Sequence, residues 1–426
     1  MSDSRPTSSP EPSKAEENPE NLRGIAALRH RDFLLFVIGK AMSTASVHMV
    51  IVAIMYQVYD MTSDPLTLAY IPLAVVAPAF VFVLFTGYVA DIFDRRVVLA
   101  LCYFTMGIAA ALLVSYSASD TEAVWPVYLI MLVLGTGRAF YSAAGSAFVP
   151  NLVPRAIFPN AVAWNNSAGK TAQTVGPASM GLLYEISPET VYGTATCVLA
   201  ASAILTYFIR TRVVRSGREP MSLKTVLAGL VYVWDKQLIL GSITLDLFVV
   251  LSGGVTALIP IYARDILEIG ARGAGFLRAA IAVGGIMAAL CLTRISMTRS
   301  VGTILFVVTL IFGAMTIVFS LSTSYALSLA AAAIMGASDM VSVYIRSTLL
   351  QIATPDEMRG RVSAVNSIFV ASSNEIGEFR AGAFAAWIGA VNAGLVGGVA
   401  AMFITLICWK KFPELARVQR MDRELT

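Results

Sequence analysis

Several ionisable residues lie inside long apolar segments of the chain, where a charge is costly and by default marks a functional site. Arg138 lies within the segment LGTGRAFYSAAG, and Asp339 follows it by 201 residues in a similarly apolar segment. Opposite charges at these two positions can face one cavity and pair with each other when that cavity is empty. The alternative is that each residue makes a separate polar contact between packed helices.

Two further candidates, His48 and Asp246, lie near the middle of their apolar segments. Histidine changes charge near neutral pH, and a carboxyl group can exchange a proton with its surroundings. Either residue could therefore carry a proton between the two sides of a membrane. We favour Asp246, because a single histidine on an apolar face is more often a structural residue.

The most polar interior segment contains Asn374, Glu375 and Glu378. Glu375 and Glu378 are three residues apart, and Asn374 and Glu378 are four apart, so a helix places each pair on one face. These carboxylates either exchange protons or form ion pairs with basic residues. The candidate partners are Arg138, Lys170 and Arg380.

A second polar stripe comprises Asn166, Lys170 and Gln173, which follow one another at steps of four and three residues. This spacing belongs to one helix face and is typical of a cavity lining. Three other basic residues lie nearer the ends of apolar segments, where a long side chain can reach the membrane surface. For these residues, Lys40, Arg278 and Arg346, we expect a structural role.

The composition indicates that membrane-spanning helices position these residues. The chain has 426 residues, of which 57% are apolar and 14% are charged, and its mean hydropathy is +0.73. Soluble domains carry about 25% charged residues, and a membrane barrel needs strands that alternate apolar and polar residues. We therefore predict an all-α membrane protein with twelve spans. The spans lie near 32–58, 66–90, 97–117, 124–150, 158–184, 190–209, 238–263, 271–294, 300–320, 324–352, 360–388 and 391–410.

The twelve spans divide into two groups of six. We predict an N-terminal bundle at 32–209 and a C-terminal bundle at 238–411, joined by a basic cytoplasmic linker at 210–237. Segments 1–31 and 412–426 are expected to be cytoplasmic tails, the first of them disordered. A shift of 201 residues aligns identical residues of the two bundles, which indicates two pseudo-symmetric repeats. The aligned pairs are Pro154 and Pro355, Ala163 and Ala364, Asn165 and Asn366, Gly176 and Gly377, and Gly181 and Gly382.

Lysine and arginine are distributed unevenly between the two sides of the predicted spans. The tails and loops of one side carry 23 of the 31 basic residues, whereas the loops of the other side carry only Arg264 and Arg272. Because basic loops stay in the cytoplasm, both termini are expected to be cytoplasmic.

Several classes of function are not expected from this composition. Four separated cysteines and two histidines suggest no metal site, and we expect neither a cofactor nor a nucleic-acid partner. No extramembrane segment has the size of a catalytic domain, which argues against an enzyme. The oligomeric state is left open.

The loop after the second span reads GYVADIFDRR at positions 87–96. It resembles the signature loop G-x-L-A-D-x-x-G-R-[RK] of the major facilitator superfamily, with Val89 in place of leucine and Asp94 in place of the second glycine. The resemblance implies that glycine permits close helix packing and that the charged residues latch one conformation and release it in another. The candidate gating residues are Gly87, Asp91, Asp94, Arg95 and Arg96.

The fifth span contains Gly176, Pro177 and Gly181 in the segment GPASMG. It resembles the Gly-Pro motif of antiporters and exporters in that superfamily, with Met180 where a glycine is usual. Proline kinks a helix, and the flanking glycines permit tight packing. The motif is either an element that determines the direction of transport or a purely structural kink.

The loop, the Gly-Pro helix, the layout of six plus six spans and the repeat extend the resemblance over nearly the whole chain. The segments AFVPNLVPRAIFPNAVAWNNSAGKTAQTVGP and LLQIATPDEMRGRVSAVNSIF resemble the branch that contains enterobactin exporters and macrolide efflux proteins. This implies export of a small organic molecule, siderophore-like or drug-like, across the bacterial inner membrane in exchange for protons. The rival interpretations are a proton-coupled importer, a lipid flippase, and a receptor or scaffold that does not transport.

Overall fold

The computed structural model of the protein describes residues 24–119, 121–212, 223–292, 294 and 300–419. The predicted tails and linker therefore lie partly outside the described residues. Within these ranges the chain is helical and contains no strand. The first half contains α1 (Arg31–Thr62), α2 (Pro65–Val81), α3 (Val83–Ile92), α4 (Arg95–Ser117), α5 (Trp125–Phe148), α6 (Phe158–Leu183) and α7 (Pro188–Tyr207). The second half contains α8 (Leu223–Asp235), α9 (Gln237–Gly253), α10 (Ile259–Ile261), α11 (Gly270–Leu292), α12 (Val301–Leu321), α13 (Tyr325–Ala353), α14 (Asp356–Ile388), α15 (Ala390–Lys411) and α16 (Pro413–Arg417).

Two of the twelve predicted spans are interrupted, and each of the other ten coincides with one helix. The second span is divided at Phe82 into α2 and α3, and α2 contains two interior prolines, Pro72 and Pro78. Proline removes a backbone donor and crowds the preceding turn, which favours such a break. The seventh span leaves the α-helical conformation after Gly253 and continues through 3-10, α and π turns to Ile266.

Hydropathy separates the helices into two kinds. Within the described residues, nine helical segments are long and apolar enough to cross a bilayer. Helices α6 and α14 are long, with 26 and 33 residues, but are more polar than those nine. These two helices are equivalent in the internal repeat, so both bundles place their most polar helix at the same position.

The helices pack into two bundles that meet along two contacts. In the first bundle α1 packs on α6 and α7, α4 packs on α5 and α7, and α2 packs on α5. In the second bundle α9 packs on α14 and α15, α11 packs on α13, and α12 packs on α13 and α15. The bundles contact each other where α6 meets α11 and where α2 meets α14. Large apolar side chains such as Phe104 and Phe403 are exposed on the outside, as a lipid-facing surface requires.

The repeated glycines occupy equivalent packing positions within their own bundles. A Cβ atom added to Gly176 of α6 would overlap the carbonyl group of Ala45 in α1. A Cβ atom added to Gly377 of α14 would lie 2.7 Å from the carbonyl oxygen of Val250 in α9. Each glycine therefore brings the polar helix of a bundle against the helix of that bundle's first predicted span.

The second glycine of each repeat packs against the opposite bundle. An added Cβ atom at Gly181 would lie 2.9 Å from the carbonyl oxygen of Arg272 in α11. An added Cβ atom at Gly382 would lie 2.9 Å from the Cβ atom of Ala69 in α2. The two contacts between the bundles thus follow the internal repeat.

Glycine also sets the packing of α11 on α13. A Cβ atom added to Gly284 would overlap the carbonyl oxygen of Ala333, and one added to Gly336 would overlap that of Ile281. We expect Gly284→Ala to lower the free energy of unfolding by about 1–3 kcal/mol, because an extra methyl group forces the helices apart. Thermal unfolding of the purified protein in detergent measures this change.

The matched control is Gly193→Ala in α7, where an added Cβ atom meets nothing within 4 Å. This variant should unfold at or slightly above the wild-type temperature, because alanine favours a helix over glycine. Equal unfolding temperatures for the two variants would contradict the close packing of α11 on α13.

Candidate functional site

A cavity of about 840 Å³ lies between the two bundles. Its walls come mainly from α1, α5 and α6 on one side and from α11 and α13 on the other. Five of the predicted site residues line it, namely His48, Arg138, Asn166, Lys170 and Gln173. The structure therefore brings the polar stripe of α6 together with the interior residues of α1 and α5.

The polar stripe of α6 faces the cavity. Asn166 and Lys170 are exposed there, and Lys170 Nζ donates to Gln173 Oε1 at 3.4 Å. Lys40 of α1 also lines the cavity, where its Nζ donates to Asn165 Oδ1 at 2.8 Å. Lys40 could have reached the membrane surface from this position, but its face of α1 turns towards α6 and the cavity.

Arg138 forms an ion pair with Glu375 that joins the two bundles. Arg138 Nη1 lies 3.0 Å from Glu375 Oε1, and the two side chains are 43% and 15% exposed. Of the two pairings considered for Arg138 from the sequence, the structure therefore shows the one with the carboxylates of α14 and not the one with Asp339. Helix α14 packs on α2 beside α5 and brings Glu375 to Arg138, whereas α13, which carries Asp339, packs on α11 and α12.

Glu378 is bound at the break in the seventh span. Its Oε1 accepts hydrogen bonds from Thr256 Oγ1 at 2.7 Å and from Arg278 Nη2 at 3.1 Å. Arg278 also donates to the carbonyl oxygen of Thr256 at 3.1 Å. Arg278, for which a structural role was expected, turns away from the membrane surface and forms an interior ion pair with Glu378. Asn374 is exposed and donates to the carbonyl oxygen of Val370 in its own helix.

Arg380 closes the end of α9. Its Nε donates to the carbonyl oxygen of Leu251 at 2.8 Å, and its Nη2 donates to that of Ser252. The last carbonyl groups of a helix lack partners within that helix, and a basic side chain can bind them. Arg380 therefore supports the break in the span rather than pairing with Glu375 or Glu378.

Asp246 and Arg346 form a buried ion pair beside the cavity. Arg346 Nη1 lies 2.5 Å from Asp246 Oδ2, and the side chains are 9% and 7% exposed for Arg346 and Asp246. Arg346, for which a structural role was expected, turns away from the membrane surface and points towards α9. Asp246 also lines a small pocket of about 20 Å³ together with Asp339. A pocket of this size holds about one water molecule.

The signature loop is organised as the start of a helix. Asp94 Oδ1 accepts a hydrogen bond from the backbone N–H of Arg96 at 3.0 Å and caps α4. Arg96 also donates to the carbonyl oxygen of Ile209 at 2.9 Å, and Arg95 is buried. Asp94, which replaces a glycine of the signature, thus has a structural function. The side chain of Asp91 lies outside what the structure describes.

Gly87 does not make the close packing that the signature implies. A Cβ atom added to Gly87 would meet nothing within 4 Å. Other described glycines do make such close contacts, for example Gly176 in α6 and Gly284 in α11. In this conformation Gly87 therefore faces open space.

Polar contacts link the two bundles near the C-terminus of α1. Arg264 Nε lies 3.1 Å from Asp60 Oδ1, and Arg264 Nη1 donates to the carbonyl oxygen of Tyr59 and to Ser63 Oγ. The hydroxyl group of Tyr59 donates to Asp265. We call Tyr59, Asp60, Ser63, Arg264 and Asp265 the closed-end cluster.

Sequence reasoning did not select this cluster as functional. The available signal was that Arg264 and Arg272 alone supply positive charge to the loops of that side. Arg272 makes a second, longer contact between the bundles, 3.9 Å from Glu185. These contacts therefore link the two bundles at one end of the cavity. The cavity extends from there towards the end where α1 begins.

The buried pair of Asp246 and Arg346 makes stability depend on both charges. We expect Asp246→Asn to lower the free energy of unfolding by about 3–5 kcal/mol, because it leaves a guanidinium group buried without its counterion. Thermal unfolding in detergent measures this loss.

Glu185→Gln serves as the control for Asp246→Asn, because the pair of Glu185 with Arg272 is 52% and 57% exposed. Exposed pairs contribute about 0–1 kcal/mol, so this variant should stay close to wild type. A larger loss for Glu185→Gln than for Asp246→Asn would contradict the assignment of the buried pair.

Comparison with known proteins identifies the family. The family model described as transmembrane secretion effector, of the major facilitator superfamily, matches residues 23–424. Enterobactin exporter EntS of Escherichia coli (strain SMS-3-5 / SECEC) is 24% identical over 402 residues, which cover 93% of this chain and 95% of that protein. Enterobactin exporter EntS of Shigella boydii serotype 18 (strain CDC 3083-94 / BS512) gives the same values.

Solved structures of transporters share the fold. A bacterial homologue of the human lysosomal transporter Spinster, inward-facing and occupied, has a TM-score of 0.71 at 11% identity, covering 91% of this chain and 99% of that one. An inward-facing bacterial homologue of the iron transporter ferroportin has a TM-score of 0.65 at 14% identity, with coverage of 91% and 99%. A D-xylose–proton symporter has a TM-score of 0.63 at 14% identity, with coverage of 90% and 98%. The family match extends over nearly the whole chain, so the chain belongs to the transmembrane secretion effectors of the major facilitator superfamily and is a multi-pass transporter of the bacterial inner membrane.

Proposed function

We propose that this protein exports a small organic molecule, siderophore-like or drug-like, from the cytoplasm in exchange for protons. The main support for the proposal is the cavity between the two bundles. At one end of this cavity the closed-end cluster links the bundles. Relatives that are 24% identical over nearly the whole chain are named enterobactin exporters, which favours export over import.

The charge distribution supports an inward-facing orientation of this cavity. If the side rich in lysine and arginine is cytoplasmic, the closed-end cluster lies on the outer side and the cavity extends towards the cytoplasm. An exporter collects its substrate in this state. Rocking of one bundle against the other then has to separate Arg264 from Asp60 and close the cytoplasmic end.

The lining of the cavity favours an oxygen-rich substrate with an apolar body. Lys40, Arg138 and Lys170 supply charged donors, whereas Met106 and Met340 supply apolar surface. The volume of about 840 Å³ lies within the range of about 300–1,000 Å³ that is usual for sites of drug-sized ligands. The cavity therefore suits a molecule of siderophore or drug size.

The ion pair of Arg138 and Glu375 supports coupling between occupancy and conformation. It joins α5 to α14 across the boundary of the bundles at 3.0 Å. A substrate that binds Arg138 competes with Glu375 and weakens this bridge. Exchange transport requires that substrate and proton stabilise the two conformations to different extents, and a bridge of this kind provides such a difference.

Transport into sealed inverted vesicles tests the proposal. Vesicles with an acid interior should accumulate enterobactin, or ethidium as a drug-like probe, and should lose the accumulated probe when the gradient is collapsed. Vesicles without the protein are the blank. Accumulation only with an alkaline interior would favour a proton-coupled importer, and movement of neither probe would favour a flippase or receptor.

Substitutions of Arg138 and Glu375 test the role of their ion pair by the same accumulation measurement in inverted vesicles. Arg138→Glu and Glu375→Arg should each reduce accumulation by about tenfold or more, because each places like charges side by side. The double variant restores opposite charges and should recover part of the lost rate. Asn374→Ala is the control and should transport normally, because the side chain of Asn374 donates to the carbonyl oxygen of Val370 in its own helix. A double variant as inactive as the single variants would contradict the bridge.

The closed-end cluster should stabilise the conformation in which the cavity opens towards the end where α1 begins. Arg264→Ala removes the contacts of one bundle with Asp60, Tyr59 and Ser63 of the other. A loss of about 1 kcal/mol changes the population of the outward-open state by about fivefold. A cysteine placed at Thr44 in the cavity should then react about fivefold faster with an impermeant maleimide added outside.

This labelling is done in intact cells, after replacement of the four native cysteines. Lys236→Ala is the control, because Lys236 is exposed and lies outside the cavity lining. Equal labelling rates with and without Arg264 would show that the closed-end cluster does not hold this state.

A further inference from the structure

Four carboxylates lie in the interior parts of α9, α13 and α14, and three of them are already bound to arginines. The bound pairs are Asp246 with Arg346 at 2.5 Å, Glu375 with Arg138 at 3.0 Å and Glu378 with Arg278 at 3.1 Å. The fourth is Asp339, which has no ion pair or hydrogen bond with any described residue. One carboxylate of the interior is therefore left over after the arginines are assigned.

Asp339 lies at the boundary between the small pocket and the main cavity. It lines the small pocket together with Asp246 and Ser342. Val343, four residues further along α13 and thus on the same helix face, lines the main cavity. Asp339 is exposed as a residue, and its carboxylate lines the small pocket, so a proton that enters this pocket can bind it without breaking an ion pair.

The helices around Asp339 supply both charged groups and uncharged pocket-lining residues. The charged groups that act on it are Asp246 of α9, Arg346 of its own helix and Lys170 of α6. Helix α12 contributes Thr309 and Phe312 to the same pocket, and α11 meets α13 through glycines. Arg346 is thus close to two carboxylates and is bound to one of them.

The charge balance selects Asp339 as the group that can take up a proton. Protonation of Asp246, Glu375 or Glu378 would leave a partly or fully buried guanidinium group without its counterion, which is costly. Protonation of Asp339 breaks no ion pair. It also removes the net negative charge of the set formed by Asp246, Asp339 and Arg346, and uncompensated charge at membrane depth is unfavourable.

From this arrangement we infer that Asp339 carries the transported proton, while Asp246 holds Arg346 in place. The carboxylate of Asp339 takes a proton from water on the outer side and returns it to water on the cytoplasmic side after the bundles rock. This assignment rests on the proposed proton exchange and replaces Asp246, which we favoured from the sequence, with its neighbour in space.

Infrared spectroscopy of the purified full-length protein tests the assignment without any substrate. A pH titration of the wild type should show the carbonyl stretch of a protonated carboxyl group that disappears as the pH rises. Asp339→Asn should abolish this band, and Asp339→Glu should retain it at a shifted frequency. Asp246→Asn and Glu375→Gln should keep it. Persistence of the band in Asp339→Asn, or its loss in Glu375→Gln, would overturn the assignment.

Proton movement in inverted vesicles provides the second measurement, with enterobactin or ethidium as the probe. Asp339→Asn should reduce the proton flux that accompanies transport to that of vesicles without the protein. Asp235→Asn, an exposed carboxylate of α8 outside the cavity, is the matched control and should behave as wild type. Unchanged proton flux in Asp339→Asn would also overturn the assignment. If the wild type moves neither probe, the export proposal fails, and the infrared titration still decides whether Asp339 binds the proton.

Discussion

The free-energy cost of placing charge in an apolar medium governs the interior of this protein. Every arginine found in the middle of the described helices has a partner from another helix, such as Glu375 for Arg138 and Asp246 for Arg346. The interior lysines face the cavity instead, and Lys170 is exposed there. A charge in the membrane region is thus either paired or hydrated. The positions of the helices follow from satisfying these requirements together with close glycine packing.

Much of the architecture could be predicted from the sequence because hydropathy and glycine spacing are local signals. The apolar runs identify the spans, and the shift of 201 residues identifies glycines with equivalent contacts, such as Gly176 and Gly377. The stripe of Asn166, Lys170 and Gln173 was recognisable from helical spacing alone. The break after Gly253 was not, since the freed backbone carbonyl groups of Leu251 and Thr256 are bound by Arg380 and Arg278, which come from other parts of the chain.

The partners of the charged residues could be predicted only in part. Arg138 was among the candidate partners of Glu375, but the pairs of Arg278 and Arg346 were not foreseen, because hydropathy gives the depth of a residue but not the direction in which its helix face points. Arg278 and Arg346 both lie in segments that allow a long side chain to reach the surface, yet both turn inwards to carboxylates. The repeat was also misleading for Arg138. Equivalence by sequence relates α5 to α13, whereas contact is decided by which helices are adjacent, and there α14 supplies Glu375.

The closed-end cluster differs from the interior pairs in its exposure to solvent. Arg264 and Asp60 are 31% and 56% exposed, whereas Arg346 and Asp246 are 9% and 7% exposed. Mobile ions screen exposed charges over a Debye length of about 8 Å at physiological ionic strength and affect buried pairs much less. Salt therefore weakens the closed-end cluster more than it weakens the interior ion pairs. In the orientation proposed above, a saline exterior weakens the closed-end cluster while leaving the interior ion pairs intact, so the medium outside the cell becomes one of the factors that set how often the transporter opens to it.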